Sequence, residues 1–114
     1  MSLIQRISWI KAARKEFEQF PEAAQIEAET ALGIAAEGRK AEIAKSLKAF
    51  DGGVFEIVLR HRGDAFRVVC AVQIGTDLWV IQAFQKKSKT GIKTPQVEIE
   101  LIRERLKRLK EMLR

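Results

Sequence analysis

Tyrosine is absent from this 114-residue chain, and cysteine and histidine occur once each. A lone thiol builds no disulfide framework, and one cysteine with one histidine makes no paired Cys/His cluster for zinc. Cys70 lies between Val69 and Ala71 in an apolar stretch, where a buried inert thiol is expected rather than a nucleophile. His61 stands beside a turn with no motif around it, which reads as an ordinary turn residue rather than a catalytic base. Neither a P-loop nor a dinucleotide fingerprint occurs, so no metal and no cofactor is expected. No apolar run approaches the roughly 20 residues that span a bilayer. The opening MSLIQRISWIKAARKE has no apolar stretch of signal-peptide length, so a cytoplasmic protein without membrane association is expected. Repeats, low-complexity tracts and Pro/Gly-rich linkers are missing too, which leaves one domain over residues 1–114.

Positive charge is what the chain has in excess, and it is unevenly placed. Residues 1–59 carry 8 Lys/Arg against 9 Asp/Glu, while residues 60–114 carry 13 against 6. The net charge of +6 therefore belongs wholly to the second half. Such asymmetry favours a polyanionic partner, either nucleic acid or an acidic protein surface.

The hydrophobic pattern is legible along the chain. Residues 2–10 are short and β-prone, with Leu3, Ile7 and Trp9 among their apolar positions. From Lys11 to Phe20 the pattern turns helical, with Ala13, Phe17 and Phe20 at spacings of four and three. Pro21 interrupts, and an alanine-rich helix from Glu22 to Glu37 follows, closed by Gly38. The exposed face of this helical hairpin carries Glu16, Glu18, Glu22, Glu27 and Glu29. A basic connection from Arg39 to Lys48 precedes three strands: Val54 to His61, Phe66 to Ile74 and Leu78 to Gln85. Their short links, Arg62-Gly63-Asp64 and Gly75-Thr76-Asp77, imply an antiparallel meander. Thr94 and Pro95 open a last helix, with Thr94 as its cap. Its stripe of Ile99, Ile102, Leu106, Leu109 and Leu113 runs to the end of the chain. The predicted fold is α+β: an N-terminal strand at an edge of the meander, a helical hairpin, three antiparallel strands and a C-terminal helix.

Strand alternation sets Glu56, Val58 and Arg60 on one face, opposite Phe55, Ile57 and Leu59. Arg67 lies near the same turn as Arg60, on the next strand. Lys86 and Lys87 leave the third strand where it returns beside Arg67. If these side chains share a face, they form a cationic concavity suited to a phosphodiester, since arginine offers a planar fork and lysine a point charge. The competing reading is a polar face whose arginines pair with Glu56 or Asp64, and residue types alone do not choose between the two.

The stretches KSLKAFDGGVFEIVLRHRGDAFRVVCAV and LWVIQAFQKKSKTGIKTPQVEIELIRERLKRL, with the order of elements, resemble the RelE/ParE toxin superfamily, and within it the HigB-type, phage-related branch. The resemblance rests on Leu47 with Gly53, the step from Glu56 to Arg60, Arg67 after Phe66, and AFQKKSKTGIKTP with the following Glu-Ile-Glu. It implies a RelE-like fold and a toxin of a type II toxin–antitoxin system. Such a toxin is a metal-independent endoribonuclease that cuts mRNA on the ribosome by attack of the ribose 2′-OH on the adjacent phosphate. The implied partners are mRNA on the ribosome and a helix-turn-helix antitoxin; self-association is left open. The resemblance implies charge-stabilising roles for Arg60 and Arg67 and proton transfer by Lys86, whose pKa crowding by cations would lower. Lys87, Lys89, Lys93 and Arg62 would contact RNA or ribosome. Several relatives end the sheet with a Tyr or His, whereas Gln82, Phe84 and Gln85 occupy that region here. The superfamily also holds gyrase inhibitors on the same fold, so a non-catalytic binding protein is the alternative.

Overall fold

The structure is a computed structural model that describes residues 4–50, 52–86 and 94–113. The elements run β1 (Ile7–Trp9), α1 (Lys11–Phe17), α2 (Glu22–Ala36), β2 (Ala44–Ser46), β3 (Val54–His61), β4 (Asp64–Ala71), β5 (Leu78–Lys86) and α3 (Gln96–Met112). They form an α+β, RelE-like fold around one five-stranded sheet of order β1-β5-β4-β3-β2. β3, β4 and β5 are the antiparallel meander read from the sequence. β1 is shorter than the expected segment and takes the expected edge, parallel to β5 with Ile7 facing Leu78. The connection 39–48 contains a strand that alternation did not reveal. β2 is only three residues long, AKS, and it pairs with β3 through Ala44 opposite Ile57.

The two sheet faces differ in chemistry. One carries Ile57, Leu59, Phe66, Val68, Cys70, Leu78, Val80 and Ala83, and α1 and α2 cover it. α2 meets this face with Ala24, Ala28, Ala31, Leu32, Ala35 and Ala36, a small-residue stripe at helical spacing. The rings of Trp9, Phe17, Phe20 and Phe66 link in a chain, neighbouring centroids 4.9, 5.6 and 4.9 Å apart. Burial pushes the Cys70 thiol pKa far up, as expected for an inert core thiol. The other face carries Val69, Ala71 and Ile81, against which α3 sets Ile102, Leu106 and Leu109. The α3 stripe stops there: Leu113 is 45% exposed, so it does not extend the core. Thr94 does not cap α3. Pro95 takes the cap position without a side-chain bond, and the Thr94 hydroxyl is used elsewhere.

Two backbone features fix the register. Arg62 and Gly63 both have positive φ, 51° and 86°, the conformation of a tight hairpin turn matching strand twist. In β5, Val69 faces Gln82 but Cys70 faces Val80, so Ile81 is an extra residue and β5 bulges there. Beyond the bulge no strand among the described residues pairs with the outer side of β5. Arg105 and Glu16 supply what a strand would: Arg105 donates to the Ile81 carbonyl at 3.1 Å, and Glu16 accepts from the Ala83 N–H at 3.2 Å. The two also form a bidentate pair at 2.9 and 3.0 Å, tying α1 to α3 around the sheet edge. Beside them the Gln82 amide donates to Glu98. Burial, then the Glu16 carboxylate, holds the Glu98 carboxyl above the ordinary glutamate range.

Two outcomes follow for stability. Ile102 is wholly buried, so Ile102→Ala should cost about 2–5 kcal/mol in chemical denaturation. Val97→Ala, at a 70% exposed site on the same helix, should cost less than about 0.5 kcal/mol. For Glu98 the folded pKa lies above the unfolded one, so its contribution is full at low pH. That contribution falls as pH rises through the ordinary value of 4.5 to the raised one. Glu98→Gln keeps an acceptor for the Gln82 amide and adds a donor for Gln82 Oε1, a buried oxygen with no hydrogen bond among the described residues. The variant should therefore be at least as stable as the parent at pH 7 and should lose that advantage on acidification. An unchanged stability difference from pH 7 down to pH 3 would contradict this.

Candidate functional site

On the α3 face of the sheet, register places the candidate residues in rows. Arg60 lies opposite Ala65, and Ala65 opposite Lys86, so the three share one row across β3, β4 and β5. The next row is Val58, Arg67 and Phe84, and the one after it Glu56, Val69 and Gln82. Antiparallel partners point the same way, so Arg60, Arg67 and Lys86 converge on one face. The small Ala65 side chain separates Arg60 from Lys86 and leaves room between them. Of the three cations Arg60 is exposed, whereas Arg67 is 3% and Lys86 8% exposed.

An acid sits among these cations, contrary to the picture of an uncompensated cluster. Glu56 is 1% exposed, and its Oε1 accepts from Arg67 at 2.7 Å. The Thr94 hydroxyl donates to the other Glu56 oxygen at 3.0 Å and accepts from Arg67 at 3.1 Å. Lys45, on β2, brings its ammonium within 3.7 Å of the same carboxylate. Of the two pairings considered for Arg67, the one with Glu56 forms, and burial makes it compulsory: an unpaired carboxylate or guanidinium in this position would be costly.

Lys86 is held below the usual lysine value of 10.5. Burial is the larger cause; Arg67, Lys45 and Arg60 add to it, and Glu56 opposes it. Crowding by cations, expected from the sequence, is thus real but secondary. A lysine shifted this way is a better proton acceptor near neutral pH than an exposed one.

Other expected contacts fall differently. Arg62 is exposed at the tip of the β3–β4 turn, one residue beyond the end of β3. His61 closes that turn opposite Asp64 and is part of no cluster. Lys87, Lys89 and Lys93 lie outside the described residues. Phe84 is half-buried against the α3-side core, as a filler. Among the described residues no group of His, Cys, Asp and Glu is arranged to hold a metal ion, and no helix is long and apolar enough to cross a membrane.

Sequence reasoning missed Lys45 and Thr94. Lys45 was hidden in a strand of three residues, and Thr94 reaches the site by a tertiary contact 27 residues along the chain from Arg67. Glu56 had a signal: a carboxylate inside VFEIVLRH, a strand otherwise apolar until its end, demands a buried partner.

The family model described as "Phage derived protein Gp49-like (DUF891)" matches residues 15–107, which takes in the end of α1, all of α2, most of α3 and the whole candidate site. No curated protein matches the chain significantly.

The electrostatic reading of Lys86 is open to direct measurement. Lys45→Met removes a cation that lowers the Lys86 pKa, so its side-chain NMR titration should move up toward 10.5. Glu56→Gln removes the opposing charge, so the same titration should move further down. Shifts of the same sign in both variants would show that the charges around Lys86 do not act as described.

Proposed function

The chain belongs to the family of phage-derived Gp49-like proteins, a family of RelE- and toxin-like proteins, and on that premise we propose that it is the toxin of a type II toxin–antitoxin system that cleaves mRNA on the ribosome. The observation that carries the reading is the meeting of Arg60, Arg67 and Lys86 on one sheet face, with Lys86 shifted toward its neutral form.

The chemistry asks for three tasks. Neutral Lys86 takes the proton of the ribose 2′-OH. The freed oxygen attacks the adjacent phosphorus, and negative charge grows on the phosphoryl oxygens. Arg60, exposed at the row's edge, meets that charge directly. Arg67 lies deeper, and its pairing with Glu56 and Thr94 fixes where its guanidinium stands before substrate arrives. The bond from phosphorus to the 5′ oxygen then breaks, and that oxygen takes a proton from the Lys86 ammonium or from water. The products are a 2′,3′-cyclic phosphate and a 5′-OH end. A helix-turn-helix antitoxin is the partner this reading implies.

Two observations favour a second reading. Arg67 is engaged by a buried carboxylate, and the chain has no tyrosine at all. The same fold would then serve as a non-catalytic binding protein, such as a gyrase-directed poison or an inactive toxin homologue.

Induction of the protein in cells, with mapping of 5′-OH RNA ends, separates the two. The ribonuclease reading expects new 5′-OH ends within translated messages and an early fall in protein synthesis. DNA damage with intact messages would assign the protein to the second reading. Arg67→Ala is a poor probe, because it strands Glu56 and should cost about 3–5 kcal/mol of stability. Arg60→Ala and Lys86→Arg are better. Arg60→Ala should lower cleavage by about 100- to 1,000-fold, the usual effect of losing one charge donor. Lys86→Arg keeps the cation but cannot release its proton near neutral pH, so it should also be inactive while remaining folded.

A further inference from the structure

A second cationic feature lies at the far end of the same sheet face. The pair Val54 and Ala71 closes β3 and β4 at the opposite end from Arg60 and Ala65, six residues or about 20 Å away. There a cleft of about 610 Å³ opens between α3 and the connection from β2 to β3. Arg103, Lys107 and Lys110 form one wall, spaced four and three residues apart along α3. Opposite them stand Phe50 and the backbone of Gly52 and Gly53, with apolar Val54, Ala71, Ile74 and Leu106 below. No carboxylate is among the described lining residues; Asp51, between Phe50 and Gly52 in the sequence, lies outside them.

Two independent details make this more than a solvated basic helix. The Arg103 guanidinium is already placed over the Phe50 ring, 4.9 Å from its centroid, which leaves its outer face for another flat group. Gly53 has φ of +91°, and a Cβ there would lie 2.7 Å from the Gln73 side chain. The backbone can therefore run close under Gln73, an exposed residue of the cleft lining whose amide carries a donor and an acceptor. Lys107 and Lys110 then supply point charges one helical turn along.

We infer that this cleft is a nucleotide-binding subsite, which stacks a base on the Arg103–Phe50 pair, reads its edge with Gln73 and holds phosphate with Lys107 and Lys110. An acidic peptide would use the charges and the amide but leave the stacked pair unused, so the lining favours a nucleotide. The nucleotide is either a unit of an RNA chain or a free nucleoside phosphate. The inference requires no cleavage and stands whether or not Lys86 is catalytic.

The test uses a fluorescein-labelled uridine hexanucleotide, read by anisotropy, with ATP as the free-nucleotide competitor. Lys107→Glu/Lys110→Glu should weaken hexanucleotide binding by about tenfold or more and flatten the salt dependence by about 1.4 in slope, two phosphate contacts at about 0.7 each. Lys11→Glu/Lys15→Glu makes the same change of net charge on exposed residues of α1 and should have a far smaller effect. A hexanucleotide carrying 4-thiouridine should cross-link to the peptide around Phe50 or to Arg103. Lys107→Glu/Lys110→Glu should leave the Lys86 titration in place, since neither lysine is among the charges acting on it, so loss of this subsite and a fault at the Arg60–Lys86 row give different results. Competition by ATP at concentrations near those of the hexanucleotide would assign the subsite to free nucleotides; its failure to compete would assign it to an RNA chain. Equal weakening by the two charge reversals, cross-links elsewhere, or polyglutamate binding that survives Phe50→Leu while no nucleotide binds would each overturn the inference.

Discussion

The ion pair between Glu56 and Arg67 organises the α3 face of this fold. It joins β3 to β4, takes in Thr94 from the approach to α3, and draws Lys45 in from β2. A buried ion pair is weak evidence of stability, because desolvation offsets most of the attraction. Its effect here is positional. A carboxylate with two oxygens engaged by Arg67 and Thr94 leaves the guanidinium little freedom to turn. The same carboxylate sets the balance at Lys86, since among the described residues it is the neighbour that pulls that pKa up against burial and three cations. Any change at Glu56 therefore reaches Arg67 by contact and Lys86 through the field.

Seen this way, the two faces of the sheet divide the labour. The α1–α2 face is sealed by alanines and aromatic rings and holds no buried charge among its core residues. It supplies the rigidity that buried polar groups on the other face require. On that other face α3 packs its apolar stripe over Val69, Ala71 and Ile81. Its first turn reaches the Gln82 row through Glu98, and the rows of Arg67 and of Arg60 with Lys86 lie beyond it. The buried cation there is met by Glu56 and Thr94, not by the apolar underside of the helix.

Much of this was readable from residue order. Alternation in VFEIVLRH put Glu56 and Arg60 on one face, and the Arg62-Gly63 turn fixed the partner register that brings Arg67 and Lys86 to the same side. Period-two patterns and hairpin turns are local signals, so β3, β4 and β5 were legible. β2 was not, because three residues carry too little alternation to register and its pairing with β3 is decided by tertiary context. The role of Thr94 was misread for a related reason. A threonine before a proline is a good cap by local chemistry, but a buried carboxylate and guanidinium nearby offered its hydroxyl stronger partners. The burial of Lys86 also escaped the sequence, in which it is simply the first of a run of lysines.

The bulge at Ile81 connects these facts. Before it, odd positions of β5 such as Trp79 face α3; after it, even positions do, and Gln82, Phe84 and Lys86 turn to that side. Without the extra residue Lys86 would point at the aromatic core on the opposite face, where a lysine has no tolerable place. The bulge in turn leaves the Ile81 carbonyl and the Ala83 N–H facing outward with no strand among the described residues to receive them, and Arg105 and Glu16 close that gap. A side-chain pair between α1 and α3 thus stands behind the position of Lys86. The irregular strand, its two-residue clamp and the row of Arg60, Ala65 and Lys86 form one construction, in which a local break in the ladder aims a lysine at the arginines.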